Sequence, residues 1–488
     1  MRGWQATEAA VAGPGASSRP SDYFGGMSTA PSSLRVAIVG SGPAGFYAAE
    51  ALQKAMPGIA IDLIDRLPTP FGLVRGGVAP DHPKIKSVTR IFDRIATQPG
   101  FRFLGHVRVG TDVTIDELRA RYHVLMLCYG AETDRTLGIP GEQLAGSHAA
   151  TEFVAWYNGH PDYADRTFDL TQREAAVVGI GNVAMDVARI LAKPTTVLAG
   201  TDLADHALQA LAASQVQTIH LVARRGPVQA ACTTPELREL GELDGVDVIV
   251  DPRDLALDAG SAAELAALED RNPAKNLEVL REWAARPRTD APRRVVLHFN
   301  ASPVSLAGHE HVDGMTIVRN RLEADGQGGV KAVPTDETKT LPVGLVFRSV
   351  GYKGKALAGV PFDERRGVVP NIGGRVVEQA DSTAVMPGLY VAGWIKRGPQ
   401  GIIGTNKLCA TETVTQVLAD IAAGALPAVP DGMTPLDELL AARHVRVTSW
   451  ADWQTLDHAE QARGAASGRP RLKITNLDEM LSILGAGT

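Results

Sequence analysis

Short apolar runs that end in glycine recur along the chain, and the first of them sets the pattern. Residues 34–39 (LRVAIV) lead into the turn 40–45 (GSGPAG), and the segment 46–52 has a helix-forming composition. A continuous run of branched apolar residues is typical of a strand buried on both faces. A second apolar run, 59–65, ends in Asp65. The order strand, G-x-G-x-x-G turn, helix, strand and acid predicts a unit that binds a dinucleotide.

Each glycine of this first turn has its own physical role. Gly40 allows the tight turn, Gly42 lets backbone amides approach a pyrophosphate, and Gly45 lets the helix pack against the strand. The helix N-terminus then faces the phosphates with its partial positive charge. Asp65 can accept hydrogen bonds from ribose hydroxyls.

The same theme returns in the middle of the chain with a different ending. The run 176–178 leads into the turn 179–184 (GIGNVA), and a helix is predicted over 185–191. The next predicted strand, 218–223, ends in Arg224 and Arg225 rather than in an acid. Two guanidinium groups can bind a 2′-phosphate but cannot accept a ribose 2′-hydroxyl proton, so this unit should prefer NADP over NAD. The alternative is an ordinary solvated basic pair.

Several other segments are predicted from their composition. Strands are expected at 122–130, 294–300, 345–350 and 388–393, and a short strand at 107–109. Helices are expected at 87–96 and at 477–484. A further helix should begin in the glycine-rich segment near 404 and end at about 418. Residues 233–236 (TTPE) predict a capping box at a helix start. Glu236 and Glu239 lie three positions apart on one face of that helix. For Glu236 alone, the simpler interpretation is a helix-capping residue whose carboxylate is solvated.

Two irregular segments favour a flavin site. Residues 67–86 hold so many prolines and glycines that they exclude a regular element, and a loop of this kind could shape a flavin site or be a surface connection. Trp394 directly follows the strand 388–393 and could cover a planar cofactor or belong to the core. The glycine-rich segment behind it could direct a helix N-terminus at the flavin and stabilise negative charge on the reduced ring.

Composition and charge narrow the class of protein. A chain of 488 residues with 44% hydrophobic and 21% charged residues predicts a soluble protein of about two or three domains. The net charge of −6 argues against a general nucleic-acid binder, and no apolar run is long enough to span a membrane. The three cysteines have no spacing typical of zinc or iron–sulfur ligands, so no metal site is predicted and a reducing cytoplasm fits. Residues 1–33 predict a disordered extension, and Met27 is a possible alternative start.

Four longer stretches carry a specific resemblance. LPTPFGLVRGGVAPDHPKIK, GIGNVAMDVAR, RRGPVQAACTTPELREL and GWIKRGPQGIIGTNK resemble the adrenodoxin-reductase-like ferredoxin–NADP reductases, especially their actinobacterial members. The resemblance covers nearly the whole chain from residue 34. It implies an α/β fold with two Rossmann-like three-layer nucleotide-binding domains. The FAD domain is expected to be discontinuous (34–133 and 359–488), with the NADP domain (134–358) inserted.

The resemblance also implies site residues. Those expected to bind FAD are Gly40, Gly42, Ala44, Gly45, Asp65, Leu73, Val109, Trp394, Gly401, Ile402 and Ile403. Those expected to bind NADP are Arg135, Ile180, Gly181, Asn182, Val183, Arg224, Arg225, Glu236 and Gly401. His82 and Glu239 are expected to form the catalytic acid–base or positioning pair. Asp65 stands where relatives often carry glutamate.

The implied reaction is hydride transfer from NADPH to FAD, followed by single-electron transfer to an acidic ferredoxin. Candidate docking side chains are Lys84, Lys86, Arg90, Arg238, Lys396 and Arg397, and a monomer or weak dimer is expected. A thiol-disulfide reductase would need a redox cysteine pair, which the sequence lacks. A monooxygenase or oxidase that uses FAD and NADPH, and a flavin-loaded subunit of an electron-transfer complex, remain as alternatives.

Overall fold

A computed structural model describes residues 34–485, so the predicted N-terminal extension and Met27 lie outside the described residues. Within this range, none of the helices combines the length and apolarity required to cross a membrane. The first part of the chain contains β1 (Arg35–Val39), α1 (Pro43–Ala55), β2 (Ala60–Ile64), α2 (Leu73–Gly76), α3 (Pro83–Lys86), α4 (Thr89–Ala96), β3 (Phe101–Leu104), α5 (Ile115–Arg119), β4 (Val124–Leu127) and β5 (Thr133–Asp134).

The middle part contains β6 (Ser147–Ala149), α6 (Ala150–Tyr157), β7 (Glu174–Val178), α7 (Asn182–Ala192), α8 (Thr195–Leu198), α9 (Asp205–Ala212), β8 (Thr218–Val222), α10 (Thr234–Gly241), β9 (Val246–Val250), α11 (Ala259–Ala267), α12 (Asn272–Ala285), β10 (Arg293–His298), β11 (Ala301–Ala307), β12 (Gly314–Ala324), β13 (Val330–Leu341), β14 (Leu345–Arg348) and β15 (Tyr352–Lys353). The last part contains β16 (Asn371–Ile372), β17 (Arg375–Val377), β18 (Val385–Val391), α13 (Trp394–Arg397), α14 (Ile403–Ala422), α15 (Leu436–Ala442), α16 (Trp450–Ala465) and α17 (Leu477–Gly485).

The first sheet joins the two ends of the described chain. Its strand order is β16-β17-β18-β4-β1-β2-β3, and β18 pairs in parallel with β4. Strands β4, β1, β2 and β3 are also parallel neighbours. This arrangement confirms the predicted Rossmann-like fold, because the carboxyl ends of β1, β4 and β18 lie at one edge of the sheet, where such folds bind nucleotides.

The second sheet is built from the middle of the chain alone. Its order is β6-β14-β7-β8-β10-β9, and all of its neighbouring strands are parallel. A separate antiparallel sheet, β11-β12-β13, lies beside it and was not predicted from the sequence. The insertion of this unit between β4 and β18 makes the first domain discontinuous, as predicted.

Side-chain alternation produces the layers in both domains. In β7, Ala175 and Val177 face a core formed with helices, whereas Ala176 and Val178 face the antiparallel sheet. In β1, Val36 and Ile38 face one core and the alternate residues face another. Each of the two large sheets is therefore the middle of three layers, which explains why its parallel strands read as continuous apolar runs.

Two local predictions are wrong. The short strand lies at Phe101–Leu104 rather than at 107–109, where Val107 packs in the core and Val109 forms only an isolated β-bridge to Val113. The segment 67–86 is not wholly irregular, since it contains the single-turn helices α2 and α3. Proline begins α3, and its fixed φ suits the first helical position.

Candidate active site

The first glycine turn has the shape that a pyrophosphate requires. Gly40 has φ +106°, and a Cβ there would lie 2.6 Å from the Cys128 carbonyl oxygen. A Cβ on Gly45 would lie 2.1 Å from the Gly40 oxygen, so only glycine allows α1 to approach the turn this closely. A Cβ on Gly42, in contrast, would meet nothing within 4 Å. Since no side chain caps α1, its first amides are free to bind an anion, and the turn fits the FAD pyrophosphate.

Asp65 holds this turn in place. Its Oδ2 accepts hydrogen bonds from the Ser41 backbone N–H (2.9 Å) and from Ser41 Oγ (2.5 Å). Its Oδ1 accepts one from the Leu67 N–H at 3.0 Å. The end of β2 is thereby fixed against the turn after β1, and the contact of Asp65 with ribose stays a prediction.

The segment after β18 lies against the first turn. Gly393 has φ +78°, and a Cβ there would be 2.6 Å from Ala44 Cβ. The next residue, Trp394, has its ring centroid 5.3 Å from that of Tyr352. Its buried indole Nε1 has no hydrogen-bond partner among the described residues. An unpartnered buried donor beside the turn is consistent with a bound polar cofactor.

The remaining residues expected at FAD occupy different surroundings. Gly401 has φ +83°, Ile402 is 62% exposed, and Ile403 begins α14, which packs against α1. Leu73 begins α2 and is 40% exposed, whereas Val109 is partly buried against the core. Their contacts with FAD are not shown by this geometry and stay predictions.

The second glycine turn repeats the shape of the first. Gly179 has φ +134°, and a Cβ there would lie 2.2 Å from the Ser349 carbonyl oxygen. A Cβ on Gly181 would meet nothing within 4 Å, and no side chain caps α7. Asn182 accepts a hydrogen bond from the Thr233 N–H at 2.8 Å, while Ile180 and Val183 pack against the core. This turn fits a second nucleotide.

Arg224 and Arg225 follow β8 at the same edge of the sheet as the second turn. The Asn320 amide donates to the Arg224 carbonyl oxygen at 2.8 Å, and the Asn300 N–H donates to that of Arg225 at 3.0 Å. Within residues 34–485, neither guanidinium is within salt-bridge distance of a carboxylate. Both are therefore available to a phosphate. Arg135 is exposed, and its backbone N–H donates to the Gly351 carbonyl oxygen at 3.0 Å.

The two domains meet at His82 and Glu239. His82 Nε2 lies 2.7 Å from Glu239 Oε2, although the residues are 157 positions apart. Glu236 Oε2 lies 3.8 Å from the same nitrogen. His82 precedes α3 and is 8% exposed, whereas both glutamates are on α10. An imidazole hydrogen-bonded to a carboxylate can hold and move a proton.

Known proteins share both the sequence and this architecture. NADPH-ferredoxin reductase FprA of Mycobacterium tuberculosis is 46% identical over 92% of this chain and 98% of its own length. The mitochondrial NADPH:adrenodoxin oxidoreductase of Arabidopsis thaliana is 44% identical over 95% of this chain and 97% of its own. The chain belongs to the adrenodoxin-reductase-like ferredoxin–NADP reductases. Residues 34–250 also match the model of the pyridine nucleotide-disulphide oxidoreductase family.

A solved structure agrees with the fold of this reductase family member. The structure of M. tuberculosis FprA in complex with NADPH superposes with a TM-score of 0.86 at 45% identity, and the match covers 92% of this chain and 99% of that one. The family resemblance and the fold class inferred from the sequence motifs are thereby confirmed.

The predicted capping box is wrong in this family member. Thr233 is the N-cap residue of α10, but its side chain makes no capping hydrogen bond. Glu236 does not turn back to the helix start, because Arg189 Nη1 donates to its Oε2 at 3.3 Å. The simpler explanation of Glu236 as a solvated acid is also wrong, since the residue is only 8% exposed.

Arg189, Asp81, Asp186 and Lys193 were not recognised in the sequence as site residues, yet all four lie in this cluster. The spacing of two of them could have indicated the cluster, because Asp186 and Arg189 are three residues apart on α7 and hence lie on one face of that helix. His82, Glu236 and Glu239 each place a possible metal-ligand atom within 4.8 Å of the others. Arg189 Nη1, however, is 3.3 Å from Glu236 and 3.6 Å from Glu239, so a cation already faces both carboxylates.

Burial and charge shift the acids of this cluster in opposite directions. Burial, with the nearby Asp186 carboxylate, raises the pKa of Glu236 to about 7. Burial would raise the pKa of Asp81 too, but hydrogen bonds and charge from Arg189 and Lys193 hold it well below its usual range. Burial raises the pKa of Asp186 as well, so Glu236 and Asp186 are the acids of this cluster whose pKa is shifted upward.

The basic docking candidates separate into two groups. Lys86 is partly buried and donates to Asp202, while Lys396 is buried and donates to Glu412. Arg397 donates to Asn406. These three have internal partners, so they are poor docking candidates. The exposed ones are Lys84, Arg90 and Arg238.

Proposed function

We infer that this family member is an NADPH–ferredoxin reductase that works with bound FAD. The observation that carries this function is the His82–Glu239 contact, in which a loop of one nucleotide-binding domain meets α10 of the other. Bound FAD supplies the conversion of a two-electron hydride into single electrons for an iron–sulfur protein. The protein supplies position and electrostatic field.

Each domain has its own binding task. Residues 34–133 with 359–488 form the FAD domain, whose first turn and Trp394 hold the cofactor. Residues 134–358 form the NADP domain, in which Arg224 and Arg225 hold the 2′-phosphate. The two sheets support this division, because the first takes strands from both chain ends and the second from the middle alone.

His82 and Glu239 act as the positioning and proton-holding pair. A proton is held between His82 Nε2 and Glu239 Oε2, which are 2.7 Å apart. His82 is buried while the Glu239 side chain is 42% exposed, so the pair connects the interior with solvent. It can therefore orient the nicotinamide and compensate the change in charge when the hydride leaves.

An acidic ferredoxin docks on an exposed basic surface made of Lys84, Arg90 and Arg238. Lys84 is two residues after His82, and Arg238 is next to Glu239 on α10. Arg238 and Lys275 line a groove of about 590 Å³ beside Glu239. Such a local patch can steer an acidic partner although the whole chain has a net charge of −6. We propose that the reductase works as a monomer or weak dimer in the cytoplasm, where its three free, buried cysteines stay reduced.

Reconstitution tests this function. Purified FAD-loaded chain is mixed with NADPH, candidate ferredoxins and cytochrome c as final acceptor. We expect reduction of cytochrome c that requires both NADPH and a ferredoxin. NADPH oxidation that does not depend on the acceptor would instead indicate an oxidase or monooxygenase. Bound FAD without any oxidation of NADPH would indicate a flavin-loaded subunit of a larger complex.

A further inference from the structure

Arg189 is almost completely buried at the contact between the two domains. Its side chain is 1% exposed, and it lies on α7, directly after the second glycine turn. Nε donates to Asp81 Oδ2 at 2.8 Å and Nη2 donates to Asp81 Oδ1 at 3.0 Å. This is the two-bond geometry in which the planar guanidinium matches a carboxylate. Asp81 lies in the first domain, so Arg189 bridges the domains.

The rest of the guanidinium faces the second domain. Nη2 also donates to Asp186 Oδ1 at 2.6 Å. Nη1 donates to Glu236 Oε2 at 3.3 Å and lies 3.6 Å from Glu239 Oε2. One side chain therefore contacts carboxylates from the loop before α3, from α7 and from α10.

Asp81 immediately precedes His82 in the chain. Its fixed carboxylate, which also accepts from Lys193 Nζ at 2.5 Å, restricts where the His82 backbone can lie. On the other side, Glu236 and Glu239 lie about one turn apart on α10. A group that holds Asp81 and faces both glutamates fixes the two halves of the His82–Glu239 contact relative to each other.

We propose that Arg189 is the positioning residue of this reductase, which holds His82 and Glu239 in hydrogen-bond contact across the domain boundary. The inference rests on the proposed function of that pair. Arg189 touches neither nucleotide in this role; it acts through Asp81 and the α10 glutamates. Its positive charge also attracts the Glu239 carboxylate, whose Oε2 lies 3.6 Å from Nη1.

Two substitutions separate the charge of Arg189 from its shape. Arg189→Lys keeps the positive charge but cannot bind Asp81 and the glutamates at the same time. Arg189→Gln removes the charge as well. Arg375→Gln is the matched control, because Arg375 also binds one carboxylate through two nitrogens, Nε and Nη2, to Asp420 at 2.8 and 2.7 Å. If Arg189→Gln does not fold, Arg189→Lys alone carries the test.

The first readout is independent of activity. Proton NMR of the FAD-loaded enzyme with ¹⁵N-labelled histidine, assigned with His82→Gln, follows the hydrogen-bonded imidazole N–H of His82. We expect this resonance in the native protein and in Arg375→Gln, and its loss or broadening in Arg189→Lys. An unchanged resonance in both Arg189 variants would overturn the proposal.

The second readout is single-turnover reduction of FAD by NADPH. We expect Arg189→Lys to slow it by about tenfold or more, because small displacements of a positioned group cost much rate. The double variant His82→Gln/Arg189→Lys should be no slower than His82→Gln, since the two residues act as one unit. If the double variant were slower than His82→Gln by the full factor measured for Arg189→Lys alone, Arg189 would be merely structural and the proposal would be overturned.

The two readouts also separate this inference from the function on which it rests. If NADPH does not reduce the native FAD, the proposed function fails, and the NMR comparison alone decides on Arg189. If His82→Gln is impaired but both Arg189 variants reduce FAD at the native rate, the proposed function stands and this inference fails. Reoxidation of dithionite-reduced enzyme by ferricyanide should be unaffected in Arg189→Lys, since that step does not use NADPH.

Discussion

Lys473 Nζ lies 3.2 Å from Asp202 Oδ2, and both side chains are buried. Asp202 also accepts from Lys86 Nζ at 2.6 and 2.8 Å. One carboxylate of the middle part of the chain thus binds lysines from the first and the last part. Burial lowers the pKa of Lys86 and of Lys473, and the negative charge of Asp202 counteracts part of this lowering. The contact joins the two nucleotide-binding domains.

Asp202→Asn should destabilise the protein strongly. The substitution leaves the buried Lys473 and the partly buried Lys86 without their carboxylate, and loss of one partner of a buried ion pair costs about 3–5 kcal/mol. Urea unfolding measures this change in the free energy of unfolding. Glu282→Gln is the control, because Glu282 pairs with Arg286 on the surface of α12 and should change stability by less than about 1 kcal/mol. Equal effects of the two substitutions would contradict the prediction.

His82→Gln should slow the reduction of FAD by NADPH. Glutamine can still form one hydrogen bond to Glu239 but cannot exchange a proton near neutral pH, so we expect a loss of about 10²-fold. Stopped-flow absorbance of the flavin measures the rate, and NADP⁺ titration shows whether nucleotide binding is kept. An unchanged rate would remove the role assigned to this histidine.

Arg224→Ala and Arg225→Ala should reduce the preference for NADPH over NADH. Each charged hydrogen bond to the 2′-phosphate contributes about 1.5–3 kcal/mol, which corresponds to roughly ten- to hundredfold in kcat/KM. The rate with NADH should stay the same, since NADH carries no phosphate at this position. Arg286→Ala is the control, because Arg286 lies directly after α12 and forms an exposed ion pair with Glu282. A preference that does not change would mean that the two arginines are only solvated.

Gly42→Ala and Gly181→Ala should separate the two nucleotide sites. A Cβ at either position meets no protein atom within 4 Å, so both variants should fold. The added Cβ would nevertheless occupy the space above each turn that a pyrophosphate needs. We expect Gly42→Ala to be purified with little FAD, and Gly181→Ala to keep FAD but bind NADP⁺ weakly. Flavin absorbance and nucleotide titration measure both, and a reversed pattern would contradict the assignment.

Glu236→Gln should change how stability depends on pH. The pKa of Glu236 is raised from 4.5 to about 7 in the folded protein, so between these pH values the folded state binds more protons than the unfolded state. Its contribution to stability is therefore full below about pH 4.5 and declines as pH rises to 7. Between pH 5 and pH 7 the native protein should lose on the order of 2 kcal/mol relative to the variant. Urea unfolding at both pH values measures the difference, and parallel pH profiles would contradict it.

The two dinucleotide-binding units and their order were predictable from the amino-acid sequence alone. Apolar runs, glycine spacing and the basic pair after β8 are local signals, because strand burial and turn geometry act on neighbouring residues. The resemblance to a reductase family added His82 and Glu239. Local composition did not reveal β3 or the antiparallel sheet β11-β12-β13, since short strands depend on pairing with distant ones.

Which charges are buried together depends on how distant segments pack in the folded chain. Arg189 and Lys473 look like ordinary solvated side chains in the sequence, yet each is buried against carboxylates from other parts of the chain. A buried charge is tolerated only where opposite charges and hydrogen-bonding groups compensate its loss of hydration. Several of those groups come from segments more than a hundred residues away, such as Asp81 for Arg189 and Asp202 for Lys86, so the packing of the two domains brings them together.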